Sequence, residues 1–279
     1  MKVRAITGFF FIIVMLASVL LGHYVFGGFY LLLCTFCLWE FYSNVKKSGI
    51  KPGKFSGLLN GVFIFFIFYL INYSATFPIP ALTDALLAHK LLFLLPLTLS
   101  IVFIQELFKK SGQPFTNIAY TYLGLVFTIM PFTFFHALAY VDGSFNFHYP
   151  LAFLLMLWAN DTGAYLVGSK LGKTKLFERH SPKKTWEGFI GGILITAGAA
   201  LIINHYYNDL LWQQWVTIGV LISVFGTTGD LVESMFKRSI NIKDSGGILP
   251  GHGGLLDRFD GLLIAAPIVY VYLYFITNA

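Results

Sequence analysis

The stretch LAFLLMLWANDTGAYLVGSKLG, residues 151–172, is an apolar run that is long enough to cross a bilayer. About 20 apolar residues in a helix span a hydrocarbon core of about 30 Å. Asn160 and Asp161 interrupt the run, and an aspartate near mid-membrane costs about 2.5–3.5 kcal/mol. Such a residue generally faces the interior of a helix bundle, where it finds a partner. The stretch therefore predicts a membrane helix whose polar pair serves either a site or a structural hydrogen bond.

The composition of the whole chain is typical of a membrane protein. Of its 279 residues, 57% are hydrophobic and only 11% are charged, and the mean hydropathy is +0.73. The apolar runs are continuous rather than alternating, so we expect an all-α polytopic membrane protein and not a β-barrel. Cys34 and Cys37 lie inside an apolar run without companion ligands, and we interpret them as packed thiols rather than as a metal or redox site.

Nine transmembrane helices are predicted from the apolar runs. The N-terminal run begins like a signal peptide, but it lacks a small-residue cleavage site and further spans follow it, so we interpret it as a retained helix. The predicted spans are 5–22, 25–43, 56–73, 90–108, 117–140, 149–169, 186–205, 211–231 and 261–277.

The basic residues orient these spans. Of the 19 Lys and Arg residues, only Lys90 falls outside the loops of one face. Because cytoplasmic loops are enriched in Lys and Arg, we expect a cytoplasmic N-terminus and an external C-terminus. Most of the 13 acidic residues lie between Asp161 and Asp260. We therefore interpret residues 1–148, spans one to five, as a scaffold with dimer contacts. Residues 149–279, spans six to nine with their cytoplasmic loops, are interpreted as the catalytic region.

A second acidic intrusion lies in span eight, in the sequence FGTTGDLVESMFKR. If the helix continues through Asp230, then Asp230, Ser234 and Lys237 share one face at i, i+4 and i+7. That face would carry a carboxylate, a hydroxyl and an ammonium group from the membrane toward the cytoplasmic surface.

The loop between spans six and seven contains SPKKTWEG, residues 181–188. Ser181 followed by Pro182 predicts a helix start, with Ser181 as the N-cap. Lys183 and Lys184 would then lie in the first turn, where cations are unfavourable for the helix dipole. Two explanations stay open: an anion bound at the helix N-terminus, or contacts between the lysines and lipid headgroups.

The loop after span eight combines glycines with charged residues. Gly251, Gly253 and Gly254 surround His252, and glycines there allow backbone N–H groups to approach an anion. Asp257 and Asp260, at i and i+3, would lie on one face of the turn that opens span nine. Two carboxylates so placed suit one shared cation or two neighbouring cations.

The run SMFKRSINIKDSGGILPGHGGLLDRFD, residues 234–260, resembles the signature of the phosphatidate cytidylyltransferases, also called CDP-diacylglycerol synthases. The resemblance extends to Asn160-Asp161, to residues 181–188 and to the number of spans. It implies a reaction of CTP with phosphatidic acid that yields CDP-diacylglycerol and pyrophosphate. It also implies a requirement for Mg²⁺, a second cation and a homodimer.

The resemblance also implies roles for individual residues. The site residues are, as catalytic residues, Asp230, Lys237, Asp257 and Asp260; as substrate-binding residues, Asn160, Asp161, Ser181, Lys183, Lys184, Ser234, Arg238, Lys243, Asp244, His252 and Arg258; and, as Mg²⁺ ligands, Asp230, Asp257 and Asp260.

Three alternatives to this function are a related lipid enzyme, an ion-coupled transporter and a purely structural membrane protein. The last would leave the intramembrane aspartates Asp161 and Asp230 unexplained. A CTP-dependent lipid kinase, or a synthase acting on another lipid phosphate, would share part of the polar pattern. An ion-coupled transporter would use Asp161 and Asp230 as an ion path, but it predicts charges toward both faces of the membrane.

The absence of a targeting extension favours the bacterial plasma membrane, with the active site facing the cytoplasm. We expect no nucleic acid as partner.

Overall fold

A computed structural model describes residues 2–74, 90–247 and 253–277. Over these ranges the chain forms nine helices, and eight of them are long and apolar enough to cross a membrane. The all-α membrane fold predicted from the sequence is therefore confirmed. The helices are α1 Lys2–Leu20, α2 His23–Lys47, α3 Lys54–Ser74, α4 Lys90–Leu107, α5 Pro114–Leu138, α6 His148–Leu171, α7 Trp186–Tyr206, α8 Trp212–Ser239 and α9 Leu256–Thr277.

Two helices extend further into the polar loops than their apolar runs suggested. Helix α8 continues to Ser239, so it carries Asp230 and Ser234 as well as Lys237 on a continuous helix. Helix α9 begins at Leu256, which places Asp257 in its first turn. Because helical hydrogen bonds do not require apolar side chains, hydropathy marks the buried part of a helix better than its ends.

The predicted helix start at Ser181 is wrong. Ser181–Thr185 is a β-strand, β2, which pairs antiparallel with β1, Lys175–Phe177. Helix α7 begins at Trp186, and Thr185 is its N-cap, because the Thr185 Oγ1 atom accepts a hydrogen bond from the Gly188 N–H at 3.2 Å. Threonine is an effective N-cap, and one four residues after Ser181 competes with it. Lys183 and Lys184 therefore lie on a strand, and the anion site at a helix N-terminus does not form there.

Helices α6, α7, α8 and α9 pack against one another at the end of the chain that was predicted to carry the chemistry. Helix α6 packs along α7, and α8 lies between α7 and α9. The α8–α9 pair is especially close at Gly229, where a Cβ atom would overlap the carbonyl oxygen of Asp260. This close approach brings Asp230 of α8 beside the start of α9.

Helix α2 lies at the centre of the N-terminal half. Its Phe41 ring stacks on the Phe236 ring of α8 at a centroid distance of 4.7 Å. The Tyr42 hydroxyl of α2 donates a hydrogen bond to the Thr121 carbonyl oxygen of α5 at 2.6 Å. Cys34 and Cys37 of this helix are buried free thiols, as the sequence predicted. Helix α2 thus joins the scaffold half to the second half of the chain.

The Gly229→Ala substitution is expected to destabilise the protein. Its methyl group would meet the backbone oxygen of Asp260, and a backbone atom cannot move aside without separating α8 from α9. Overpacking of this kind costs about 1–3 kcal/mol. We expect a melting temperature in detergent several degrees below that of the parent protein.

The matched control is Gly198→Ala in α7, where no atom lies within 4 Å of an added Cβ. Alanine is a better helix former than glycine, so this variant should melt at or above the parent temperature. Equal melting temperatures for the two variants would contradict the close α8–α9 contact.

Candidate active site

A cavity of about 450 Å³ lies between α6, the β1–β2 hairpin, α7 and α8. It brings together residues that are far apart in the chain and were predicted as site residues. They are Asn160 and Asp161 from α6, Lys183 and Lys184 from β2, and Asp230 from α8. The intrusions into two apolar spans therefore face a common space, as the sequence suggested.

The charged wall of the cavity is built from Lys184, Asp230 and Asp161. The Lys184 Nζ atom lies 2.5 Å from the Asp230 Oδ2 atom, and both side chains are partly exposed. Asp161 is close enough to interact electrostatically with both of them. Lys183 also lines the cavity and is exposed. This wall therefore offers two ammonium groups to an anion next to two carboxylates.

The remaining wall of the cavity is largely apolar. It includes Tyr165 of α6, Leu176 of β1 and Phe189 of α7. These residues were missed because each looks like an ordinary lipid-facing side chain in the sequence. A helical count would have found part of the set, since Asp161, Tyr165 and Ser169 recur at four-residue steps and all line the cavity. A cavity with one charged and one apolar wall suits an amphipathic molecule.

Beside the cavity, Lys237 lies between two carboxylates. Its Nζ atom is 2.8 Å from the Asp257 Oδ1 atom, and it also forms an ion pair with Glu233, one turn earlier on α8. Glu233 is fully buried, and its carboxylate is compensated by the Lys237 ammonium group. Lys237 therefore neutralises two carboxylates and ties α8 to α9. It does not line the cavity.

Asp257, predicted as a metal ligand, is held by the protein itself. Its Oδ2 atom accepts hydrogen bonds from the N–H groups of Ser245 and Gly254, at 3.0 and 2.9 Å. The anion that the Gly254 N–H group binds is thus the Asp257 carboxylate of the chain itself. Lys237 occupies the other oxygen, so three of the roughly four acceptor positions of the carboxylate are used.

Asp260 lies among like charges. It interacts electrostatically with Asp230, Glu233 and Asp161, and its Oδ1 atom accepts a hydrogen bond from the Gly261 N–H at 2.7 Å. The Ser234 hydroxyl lies 3.3 Å from the Asp230 Oδ1 atom on the same helix face, as predicted. Carboxylates that interact in this way repel one another unless cations join them.

Carboxylate oxygens are the ligands that Mg²⁺ prefers, so the chemistry of these donors suits a divalent cation, although their arrangement among the described residues does not form a site. Asp230, Asp260 and Asp161 are the carboxylates that crowd together without a lysine for each. Within the described ranges, no three or more His, Cys, Asp or Glu side chains are arranged to ligate one ion.

Several predicted site residues lie away from the cavity. Arg238 is exposed and donates to the Ile242 carbonyl oxygen at 3.3 Å, while Lys243 and Asp244 are exposed in the loop after α8. Ser181 begins β2 and does not line the cavity. Arg258 is exposed but interacts electrostatically with Asp161. His252 lies outside the described residues.

A buried polar pair on α2, which was not predicted as part of the site, contacts this region. Glu40 is 2% exposed, and its Oε2 atom accepts a hydrogen bond from the Leu256 N–H at 2.8 Å. Asn44, one turn later, donates to the Ser245 carbonyl oxygen. The available signal was the four-residue spacing of two polar residues at the end of an apolar span.

Comparisons with known proteins identify relatives over nearly the whole chain. A family model described as "Cytidylyltransferase family" matches residues 2–276. A phosphatidate cytidylyltransferase of Staphylococcus aureus strain COL is 35% identical over 275 residues, covering 98% of this chain and 99% of its own. One from Staphylococcus haemolyticus strain JCSC1435 is 34% identical over 276 residues, 98% and 99% of the two chains. One from Bacillus subtilis strain 168 is 34% identical over 272 residues, 97% and 96% of the two chains.

The Lys237→Met substitution is expected to destabilise the protein strongly. It removes the cation and leaves Glu233 and Asp257 as uncompensated carboxylates, of which Glu233 is fully buried. Breaking a buried pair in this way costs about 3–5 kcal/mol. Thermal unfolding in detergent measures the loss. Lys243→Met removes an exposed lysine from the following loop and should unfold like the parent; equal losses in both variants would contradict the role of the ion triad.

Proposed function

The chain belongs to the cytidylyltransferase family, and we propose that it transfers CMP from CTP to phosphatidic acid at the cavity described above, giving CDP-diacylglycerol and pyrophosphate. The activity is supported by the family match over residues 2–276 and by the phosphatidate cytidylyltransferases that are 34–35% identical to this chain over nearly its whole length. The location is supported by the cavity, which places Lys183, Lys184, Asp161 and Asp230 around one space. The chain is accordingly a nucleotidyltransferase and an integral membrane protein.

Charge neutralisation is the main task of this site. Both substrates are anionic, so an attack of one phosphate on another is opposed by repulsion until cations screen the charge. Lys183 and Lys184 are the cations that face the cavity, and they would contact the phosphate groups. Phosphatidic acid is already ionised at neutral pH, so its own phosphate oxygen attacks the α-phosphorus of CTP. No side-chain nucleophile is needed, and binding in a fixed orientation supplies much of the rate.

The carboxylates are proposed to hold the required cation. Asp230 and Asp260 are the central ligands, with Asp257 nearby and Asp161 available for a second cation. A bound Mg²⁺ would neutralise charge on the nucleotide phosphates. Asp257 keeps its orientation through Lys237 and the two backbone N–H groups, and Lys184 balances Asp230 until substrate is present. Ser234 donates to Asp230 and orients it.

The two walls of the cavity suggest how the substrates are arranged. The diacylglycerol part of phosphatidic acid would contact Tyr165, Leu176 and Phe189, and the phosphates of both substrates would lie at the charged wall. Asn160 lines the same space with a buried Oδ1 atom. The exposed basic residues Arg238, Lys243 and Arg258, with Asp244, are proposed to assist the binding of the nucleotide from water. Ser181 and His252 belong to the same proposal through the motif alone.

We also propose that the site faces the cytoplasm of a bacterial plasma membrane. The proposal rests on the basic loops, all of which except the one containing Lys90 fall on one face. A homodimer is proposed as well, with contacts in the first half of the chain. Helix α4 is the proposed contact, because only 11% of its residues are buried by the rest of the chain and its apolar surface is available to a second copy. Crosslinking in native membranes that finds only monomer would exclude the dimer.

The central test is an assay of purified protein with phosphatidic acid, labelled CTP and Mg²⁺. We expect CDP-lipid and pyrophosphate from the parent protein. Asp230→Asn should lower kcat by about a hundredfold or more, because it removes a charge that balances both Lys184 and a cation. Asp257→Asn should lower kcat similarly, since one amide oxygen cannot replace two carboxylate oxygens.

Asp209→Asn is the matched control for that assay. Asp209 lies at the opposite end of the bundle, where its Oδ2 atom is 2.8 Å from the His148 Nδ1 atom, and its loss should leave kcat unchanged. Full activity in Asp230→Asn would discard the proposed site. CTP-dependent phosphorylation of a lipid alcohol, or product only from another lipid phosphate, would replace the proposed reaction by one of those alternatives.

Topology is tested by labelling single cysteines with a membrane-impermeant maleimide. Asn208→Cys, between α7 and α8, should react in intact cells, whereas Lys110→Cys, after α4, should react only after permeabilisation. Both positions are exposed, and the native Cys34 and Cys37 are fully buried, so the parent protein supplies the background. The reverse labelling pattern would overturn the orientation.

A further inference from the structure

A buried carboxylate from the scaffold half holds the segment that leads into α9. Glu40 of α2 is 2% exposed, although it is charged in water. Its Oε2 atom accepts hydrogen bonds from the Leu256 N–H at 2.8 Å and from the Ser245 hydroxyl at 3.3 Å. Leu256 is the first residue of α9, so Glu40 satisfies an N–H group that the helix itself leaves open. One carboxylate therefore binds Ser245, after α8, and Leu256, at the start of α9.

Asn44 strengthens the same attachment. It lies one turn after Glu40 on α2, is 1% exposed, and donates to the Ser245 carbonyl oxygen. Ser245 is thus held through its hydroxyl by Glu40 and through its carbonyl by Asn44. Because both donors and acceptors are buried, losing either contact leaves a polar group without a partner.

The second oxygen of Glu40 explains two glycines of the loop. No hydrogen-bond donor among the described residues reaches the Oε1 atom. A Cβ atom at Gly246 or at Gly254 would overlap that oxygen, so either substitution would force the Glu40 carboxylate to move. These glycines serve contact with α2, which is a role that the anion-binding interpretation of the loop did not include.

The contacts of Glu40 lead directly to Asp257. The N–H groups of Ser245 and Gly254 donate to the Asp257 Oδ2 atom; Glu40 binds Ser245, and Gly254 lies beside the Glu40 carboxylate. Asp257 in turn binds Lys237. Glu40 does not line the cavity and touches no reacting group.

We infer that Glu40 is a positioning residue for the reaction: it anchors Ser245 and Leu256 to α2 and thereby fixes the Asp257 carboxylate toward Lys237. The effect on catalysis rests on the proposed function, whereas the anchoring does not. The scaffold half thus contributes to the geometry of the active site without contacting substrate.

The test compares Glu40→Ala and Glu40→Gln in the purified full chain. For Glu40→Ala we expect about a thirtyfold loss of kcat with the KM for CTP within about threefold, because orientation at the transition state is lost rather than substrate binding. Hydrogen exchange at Ser245 and at residues 253–257 should become at least about tenfold faster. Glu40→Gln keeps a carbonyl acceptor for the Leu256 N–H, so it should recover most of the activity and of the protection.

Glu106 provides the matched control. It is a second buried carboxylate of the first half, 3% exposed, but its partners are Lys109 and Asn117, and no hydrogen bond among the described residues joins it to Ser245 or to residues 253–257. Glu106→Ala should leave exchange at Ser245 and residues 253–257 unchanged, even if it lowers the melting temperature. A general loss of stability would accelerate exchange in α3 and α5 as well, so the local pattern separates positioning from folding.

Unchanged exchange at Ser245 and residues 253–257 in Glu40→Ala would overturn the inference, and so would a Glu40→Gln variant as impaired as Glu40→Ala. If Glu40→Ala does not fold, Ser245→Ala removes only the hydroxyl contact and should still accelerate local exchange by a measurable factor; parental exchange there would overturn the inference. The exchange readout needs no turnover. Accelerated exchange with no CDP-lipid from the parent would therefore refute the proposed function while supporting the anchoring.

Discussion

The ammonium group of Lys237 is the interaction on which the site depends. It is 13% exposed and lies between Glu233, which is fully buried, and Asp257. Charges at this depth are tolerated only when they are paired. Because the two carboxylates belong to α8 and α9, one cation sets how these helices meet. The α8–α9 contact also includes Gly229, which lies against the Asp260 backbone because it has no side chain. Asp230 and Asp260 are therefore brought together by the Lys237 ion pairs and by this close approach at Gly229.

The N-terminal half takes part in this arrangement. Helix α2 stacks Phe41 on Phe236 of α8 and binds the segment before α9 through Glu40 and Asn44. Residues 1–148 contain few polar residues, which is why they were interpreted as scaffold, but helix α2 contacts the region of the candidate active site. A buried acceptor can hold the segment before a helix in place, because the first backbone N–H groups of the helix need a partner.

The cavity combines two environments that a membrane enzyme has to join. Lys183, Lys184, Asp161 and Asp230 offer charges, whereas Tyr165, Leu176 and Phe189 offer apolar surface. The β1–β2 hairpin makes this possible, because it carries Lys183 and Lys184 to the cavity from outside the membrane helices. The charged side chains therefore meet α6 and α8 from outside the bundle rather than from within a span.

The sequence by itself determined the membrane fold, the nine helices and the family. Apolar runs of about 20 residues cross a bilayer as α-helices, because the helix satisfies its own backbone hydrogen bonds. The motif at residues 234–260 is specific enough to indicate the family. The resemblance that the sequence shows also assigned Asp161, Lys184 and Asp230 to one site. Only the tertiary structure decided that Ser181 begins a strand, that Asp257 is bound by Lys237 and backbone N–H groups, and that Glu40 anchors the loop. These features depend on contacts between residues up to 216 positions apart, which local periodicity and propensity do not encode.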